Sequence, residues 1–259
     1  MTIRYVEVRS GSWNGGADLM IQRLKSSGVQ QGQLIWIDAH NNGLGLEAIF
    51  SAFWDDAIKG EGALDIACHS QNSDYSWSTF YAKASEFVAN IHPKNLISMT
   101  ASCNYDQYGV LYVFYYNRPI STSYQYIRWC EARANSWDEG AKQILFKMKQ
   151  NGAKAGQVIS IDAHNNGEEG DAIFSAWWNS SLPVTGELGN TIQFRDRNDT
   201  TSWNDHYQWG SYTANSPNGH LNIHSITSCS NHNGNGVTYI FQEDGEFHWH
   251  NWHKLFTLL

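Results

Sequence analysis

Charge is scarce in this 259-residue chain: Asp, Glu, Lys and Arg make up 16% of it, with 25 acidic against 17 basic side chains and a formal net charge of −8. An average globular protein carries about 25% charged residues. No run of Lys and Arg occurs anywhere, so the basic footprint that nucleic-acid binding requires is missing and nucleic acid is excluded as a partner. Long apolar runs are missing too. The longest, Val110 to Tyr116, is of strand length and falls far short of the ~20 residues of a membrane helix. Met1 to Val8 alternates polar and apolar residues and has neither the apolar core nor the cleavage site of a signal peptide. It reads as a first strand. The expectation is a cytoplasmic or non-classically secreted protein with no transmembrane segment.

Proline (4) and cysteine (4) are sparse as well. No GxGxxG, P-loop, HExxH, CxxC or GxSxG motif is present, and no cofactor is expected. Cys68, Cys103, Cys130 and Cys229 fall opposite Phe194, Ser230, Val6 and Ser102 when the chain is superposed on itself as described below. Neither half reproduces a pair found in the other, so reduced, mostly buried thiols are expected.

Aromatic residues are abundant, at 14% of the chain. With so little charge this composition marks a folded, β-rich protein. Its organisation is set by a repeat. Ile37-Asp38-Ala39-His40-Asn41-Asn42-Gly43 recurs as Ile161-Asp162-Ala163-His164-Asn165-Asn166-Gly167, 124 positions on, and the same shift carries Ala48-Ile49-Phe50-Ser51-Ala52 onto Ala172-Ile173-Phe174-Ser175-Ala176. Glu7, Arg9, Ser12 and Trp13 map onto Glu131, Arg133, Ser136 and Trp137; with slightly larger shifts Ser76-Trp77 falls on Ser202-Trp203, and Gly109-Val110 on Gly236-Val237. Duplication accounts for these matches. The boundary is placed at Asn117-Arg118-Pro119, giving one β domain over 1–118 and a second over 119–259 with an extra C-terminal strand at Glu246 to Trp252.

Each copy begins with a strand (Ile3 to Ser10, Tyr126 to Arg133). Ser136-Trp137-Asp138-Glu139 is a capping box and Gly152 stands where a C-terminal glycine belongs, which predicts a helix over Trp137 to Gln150. Gly15-Gly16 weakens its counterpart in the first copy. Further strands are expected at Gln33–His40, Glu47–Trp54, Leu64–Ser70, Thr79–Phe87, Leu96–Ser102 and Gly109–Tyr116, separated by polar turns. The fold class is mainly β, a tandem of β-sandwich-like domains with one short helix per copy.

The candidate site is the repeated polar cluster. Side-chain alternation puts Asp38 and His40 on one strand face, and Asp162 and His164 likewise, with Asn41-Asn42 and Asn165-Asn166 opening the turns. Three readings stand: a hydrogen-bonded polar layer holding turns; two equivalent sites for a carbohydrate or lipid headgroup, with Trp77 and Trp203 as aromatic anchors in polar loops; or an enzyme using His40/Asp38 and His164/Asp162 as acid and base in an aromatic-lined cavity between the copies. Retention of the cluster in both copies favours the first two over a single active site. His248 and His250 share a face of the expected last strand and are the one candidate pair for a metal.

Arg9-Ser10-Gly11-Ser12-Trp13, the run Gln33 to Ala39 leading to a Gly-rich turn and Ala48-Ile49-Phe50-Ser51-Ala52, and the stretch Tyr105 to Tyr112 together give each half a pattern that resembles the aegerolysins and their insecticidal bacterial relatives. The resemblance covers about two-thirds of each copy. It implies a small β-sandwich that recognises membrane lipids and acts with a partner to form pores. The tandem arrangement and the helix after Trp137 depart from that family, and no binding residue carries over. The leading expectation is a non-enzymatic recognition protein, in defence or toxicity, that touches a glycan or the membrane surface.

Overall fold

The computed structural model describes residues 3–41, 47–73, 77–103, 109–118, 126–165, 172–188, 192–199, 203–215, 223–230 and 236–243. Four successive units share one order, strand-helix-strand-strand. The first is β1 (Ile3–Ser10), α1 (Trp13–Ser26), β2 (Leu34–Asn41) and β3 (Ala48–Asp55). The second is β4 (Ile66–Ser73), α2 (Trp77–Val88), β5 (Leu96–Cys103) and β6 (Gly109–Tyr116). The third is β7 (Ile127–Ala134), α3 (Trp137–Gln150), β8 (Val158–Asn165) and β9 (Ala172–Asn179), and the fourth β10 (Ile192–Asp199), α4 (Trp203–Asn215), β11 (Ile223–Ser230) and β12 (Gly236–Glu243).

Each unit folds into its own three-stranded sheet. The last strand lies in the middle and pairs antiparallel with both others, giving the orders β1-β3-β2, β4-β6-β5, β7-β9-β8 and β10-β12-β11. Because β1 and β2 both run against β3, they are parallel to each other, and the helix makes the crossover between them. Ser10, Ala48 and Asn41 therefore lie at one end of the first sheet. The other three sheets repeat this arrangement, with the end of the first strand, the end of the inner strand and the start of the central strand together. A register shift recurs at the start of each third-position strand, at Leu34/Trp36, Leu96/Ser98, Val158/Ser160 and Ile223/Ser225.

The sheets stand around a central axis like the blades of a small propeller. Strands β2, β5, β8 and β11 are innermost, and each lies against the next with β11 closing on β2. Four apolar layers fill the gaps between blades. Phe50 and Trp54 of β3 meet Tyr112 and Phe114 of β6; Leu111 and Val113 of β6 meet Ile173 and Trp177 of β9; Phe174 and Trp178 of β9 meet Tyr239 and Phe241 of β12; Ile240 of β12 meets Ile49 and Phe53 of β3. The rings pack largely edge to face, as Phe50 on Tyr112 and Phe174 on Tyr239, with centroids 5.3 Å apart in both. The aromatic surplus of the composition is placed here.

A helix plugs each gap with the same stripe, i, i+4, i+7 and i+11: Trp13, Ala17, Met20, Leu24 in α1, Trp137, Ala141, Ile144, Met148 in α3, and Trp203, Tyr207, Gly210, Ala214 in α4. In α2 the same stripe is continued by Tyr81, Ala84 and Val88. As the capping box predicts, α3 spans Trp137–Gln150, with Ser136 Oγ accepting the Glu139 amide and Gly152 at φ 80°. Gly15-Gly16 does not prevent α1.

Two expectations are corrected. Thr79–Phe87 is not a strand but the body of α2, because Tyr81, Ala84 and Val88 recur at helical spacing and bury one stripe. Each half accordingly carries two helices, not one. Mainly β content and paired halves of face-to-face sheets hold, and the division after residue 118 falls in the connection between β6 and β7. The expected last strand, Glu246 to Trp252, lies outside the described residues, as do His248 and His250.

Close helix-to-sheet contact depends on two glycines. A Cβ on Gly16 would sit 2.6 Å from the Phe50 ring, and one on Gly140 2.7 Å from Phe174. Helix propensity alone favours alanine over glycine by ~1 kcal/mol, whereas overpacking a core costs ~1–3 kcal/mol. Gly16→Ala and Gly140→Ala are each expected to lower stability in urea denaturation, the reverse of what propensity alone gives.

Candidate functional site

The repeated polar cluster does not lie on a surface. Asp38, His40, Asp162 and His164 are all fully buried, with relative exposure of 0%. They occupy the axis, where the four inner strands present equivalent positions: Asp38 on β2, Thr100 on β5, Asp162 on β8 and Thr227 on β11.

These four side chains form a closed ring with the backbone. Thr100 Oγ1 accepts the Ala39 amide at 3.0 Å, Asp162 Oδ2 the Ala101 amide at 2.9 Å, Thr227 Oγ1 the Ala163 amide at 3.0 Å, and Asp38 Oδ2 the Ser228 amide at 2.9 Å. Every blade thus takes an amide from the blade before it, and the fourth closes on the first. The amides so bonded belong to inner edge strands that pair on one side only. Buried edge amides need a partner, and the ring supplies it.

The two threonine hydroxyls also bridge the carboxylates. Thr100 Oγ1 is 3.1 Å from Asp38 Oδ1 and 3.2 Å from Asp162 Oδ1, and Thr227 Oγ1 is 3.3 Å and 3.1 Å from the same two atoms. Burial, followed by the nearby Asp38 charge, pushes the Asp162 carboxyl well above the usual carboxylate range.

From each aspartate a chain of hydrogen bonds runs outward. His40 Nδ1 is 3.1 Å from Asp38 Oδ2 and its Nε2 is 3.0 Å from the Tyr207 hydroxyl of α4; His164 Nδ1 is 3.2 Å from Asp162 Oδ2 and its Nε2 is 2.9 Å from the Tyr81 hydroxyl of α2. Burial holds His164 down to about 3, so its imidazole is neutral. Burial pushes both tyrosines well above their ordinary range, so their hydroxyls keep their protons. A neutral His164 flanked by a carboxylate and a phenol therefore donates from Nδ1 to Asp162 and accepts at Nε2 from Tyr81. The order phenol, imidazole, carboxylate is that of an acid-base relay. Here Tyr81 and Tyr207 are as buried as the aspartates.

Asn41 and Asn165, at the ends of β2 and β8, are buried and serve the same assembly: Ser230 Oγ donates to Asn41 Oδ1 at 3.1 Å, and Asn165 Nδ2 donates to the Ser230 carbonyl at 2.7 Å. Trp203 is not an exposed loop residue. It begins α4 with 8% exposure, and its ring lies 4.4 Å from that of His40, centroid to centroid, over the mouth of the relay. Trp77 holds the equivalent first position of α2, and its side chain, like Asn42 and Asn166, lies outside the described residues. Among the described residues no group of three or more His, Cys, Asp or Glu side chains is placed to hold a metal. Cys68 and Cys130 are free thiols that burial pushes up to about 12, leaving them protonated, and the buried Cys229 thiol donates to the Ser230 carbonyl.

Sequence reasoning brought Asp38/His40 and Asp162/His164 forward but missed the residues that complete them, Thr100, Thr227, Tyr81 and Tyr207. A signal existed. Thr100 and Thr227 are related by the same shift as Gly109 and Gly236, and Tyr81 and Tyr207 each follow a Ser-Trp pair at fixed distance. No protein-family model and no curated protein matches the chain.

Neutral burial of His164 has a pH consequence. Its unfolded value is ~6.5 and its folded value about 3, so the unfolded chain binds the extra proton between these limits. The contribution is fully present above pH ~6.5 and is lost at ~1.4 kcal/mol per pH unit as pH falls towards 3. Denaturation of wild type and His164→Gln, compared at each pH from 7 to 4, should show this decline as the difference between the two proteins.

Proposed function

We propose that the protein is a non-enzymatic recognition protein that binds a carbohydrate or a membrane-lipid headgroup through two equivalent sites, one per half, on the face where the hairpins turn and the helices begin. The observation that carries this reading is the complete burial of the Asp-His-Tyr relays, which offers no acid, base or nucleophile to a substrate. An enzyme built on His40/Asp38 or His164/Asp162 would need these groups to open to solvent.

Rigid scaffolds place recognition on the loops they hold. Asn41 and Asn165 are fixed by the axial assembly, and Asn42 and Asn166, which follow them in the chain, are the candidate polar contacts of the two sites. Trp77 and Trp203, one in each half at the first positions of α2 and α4, are the candidate aromatic partners, and Trp203 also lies against His40. The resemblance to the aegerolysins points to lipid headgroups as the ligand class to try first. Two like sites on one rigid body would bind a repetitive surface with avidity.

Wild type, Asn42→Ala, Asn166→Ala and the double variant should be compared on a glycan array and on vesicles containing sphingolipid or anionic lipid. Each single substitution is expected to weaken binding several-fold and the double one to reduce it by more than the product of the two. No binding to any glycan or vesicle, or binding untouched by the double substitution, would overturn the proposal.

A further inference from the structure

The axial ring leaves a proton to be accounted for. Asp38 Oδ2 already accepts the Ser228 amide and faces His40 Nδ1, and Asp162 Oδ2 accepts the Ala101 amide and faces His164 Nδ1. The two Oδ1 atoms face the same pair of hydroxyls, Thr100 and Thr227, each within 3.3 Å of both carboxylates. Each hydroxyl has one hydrogen and, on its oxygen, already accepts an amide. Two ionised carboxylates linked through a single oxygen atom, both without solvent, would repel each other strongly.

Among the described residues no cation answers this charge from within the ring. From β5 and β11 the facing groups are the threonines and two amides. From α2 and α4 they are Tyr81 and Tyr207, and from β2 and β8 His40 and His164. Further out, Glu7 and Arg9 of β1 pair with each other, as do Glu131 and Arg133 of β7, so each strand brings its own counter-charge.

We propose that Asp38 and Asp162 share one proton at neutral pH, held between their Oδ1 atoms and the two threonine hydroxyls, and that its loss at alkaline pH loosens the ring that ties the four blades together. The pair then acts as a single acid whose macroscopic ionisation belongs to both residues. Its position gives the titration a structural readout. Asp38 and Asp162 lie three residues before the ends of β2 and β8, the strands that lead to the hairpin face.

The sign follows from linkage. The folded pair keeps a proton that unfolded aspartates release near pH 4, so wherever the shared proton is still bound the unfolding equilibrium constant rises about tenfold per pH unit. Asn is isosteric with a protonated Asp and its amide can donate to the remaining carboxylate. Asp162→Asn and Asp38→Asn should therefore fold and should lack this dependence. Comparison with wild type between pH 7 and 9.5 cancels the contributions of buried thiols and phenols.

Infrared spectroscopy of the native full-length protein provides the direct test. At pH 7 the wild type should show the carbonyl stretch of one protonated carboxylic acid, lost on raising the pH and absent from both Asn variants. Should either variant fail to fold, the wild-type band and its pH titration still decide. Absence of the band at pH 7, or a band that persists in both variants, would overturn the proposal. Absence of the band together with loss of stability on adding a chelator would overturn it in favour of a bound metal cation.

Discussion

Four backbone amides, Ala39, Ala101, Ala163 and Ser228, decide how this protein is put together. Each lies on an inner edge strand at the axis, where no further strand is available to pair with it and water is excluded. Left unbonded, each would cost ~1–3 kcal/mol. The sequence meets all four needs with one device, an oxygen-bearing side chain on the next blade, and because the fourth bond returns to the first blade the set closes. A ring of this kind ties four sheets to one axis. It also requires closure, since an open chain of blades would leave one amide and one carboxylate without partners.

The rest of the architecture follows from holding the blades this way. Sheets that converge at the axis diverge outwards, and the space between them is filled by aromatic rings near the middle and by a helix further out. That explains why every helix carries the same buried stripe and why two of them need a glycine where they meet a phenylalanine. The helices also reach back to the axis. Tyr81 and Tyr207 enter from α2 and α4 to satisfy the outer nitrogens of His164 and His40, which in turn meet the aspartates. Polar groups are thus bonded from the centre to the helix layer, and a network completed to this degree specifies one arrangement of blades.

Much of this could be read in the sequence, and the part that could not has a physical reason. The duplication was plain because Asp-Ala-His-Asn-Asn and Ala-Ile-Phe-Ser-Ala recur intact. The finer repeat of about 62 residues was concealed because the axial position alternates between carboxylate and hydroxyl, Asp38, Thr100, Asp162, Thr227. Either oxygen can accept an amide, so the fold tolerates the exchange while the resemblance between neighbouring units fades. Ser-Trp at the four helix starts and the isoleucine that opens each first strand, Ile3, Ile66, Ile127 and Ile192, survive in all of them. The segment from Thr79 to Phe87 suggested a strand because Thr, Phe and Tyr favour one, and the helical stripe through Tyr81, Ala84 and Val88 prevailed because it fits a gap between two sheets. The repeated Asp-His pairs lie together in the structure, as the sequence suggested, and are fully buried, which of the three readings agrees with a hydrogen-bonded polar layer. A cluster of Asp, His and Asn suggests solvent, and its burial became evident only once the partners on three other strands were known.

The claim on which this account rests is that the ring joins all four units into one cooperative body. Native-state hydrogen exchange reads it directly, through the amides of Ala39, Ala101, Ala163 and Ser228. All four are expected to exchange only by global unfolding, with one common free energy and one common denaturant dependence. Exchange of the first two at a lower free energy than the last two, or the reverse, would mean that the halves open separately and would contradict it.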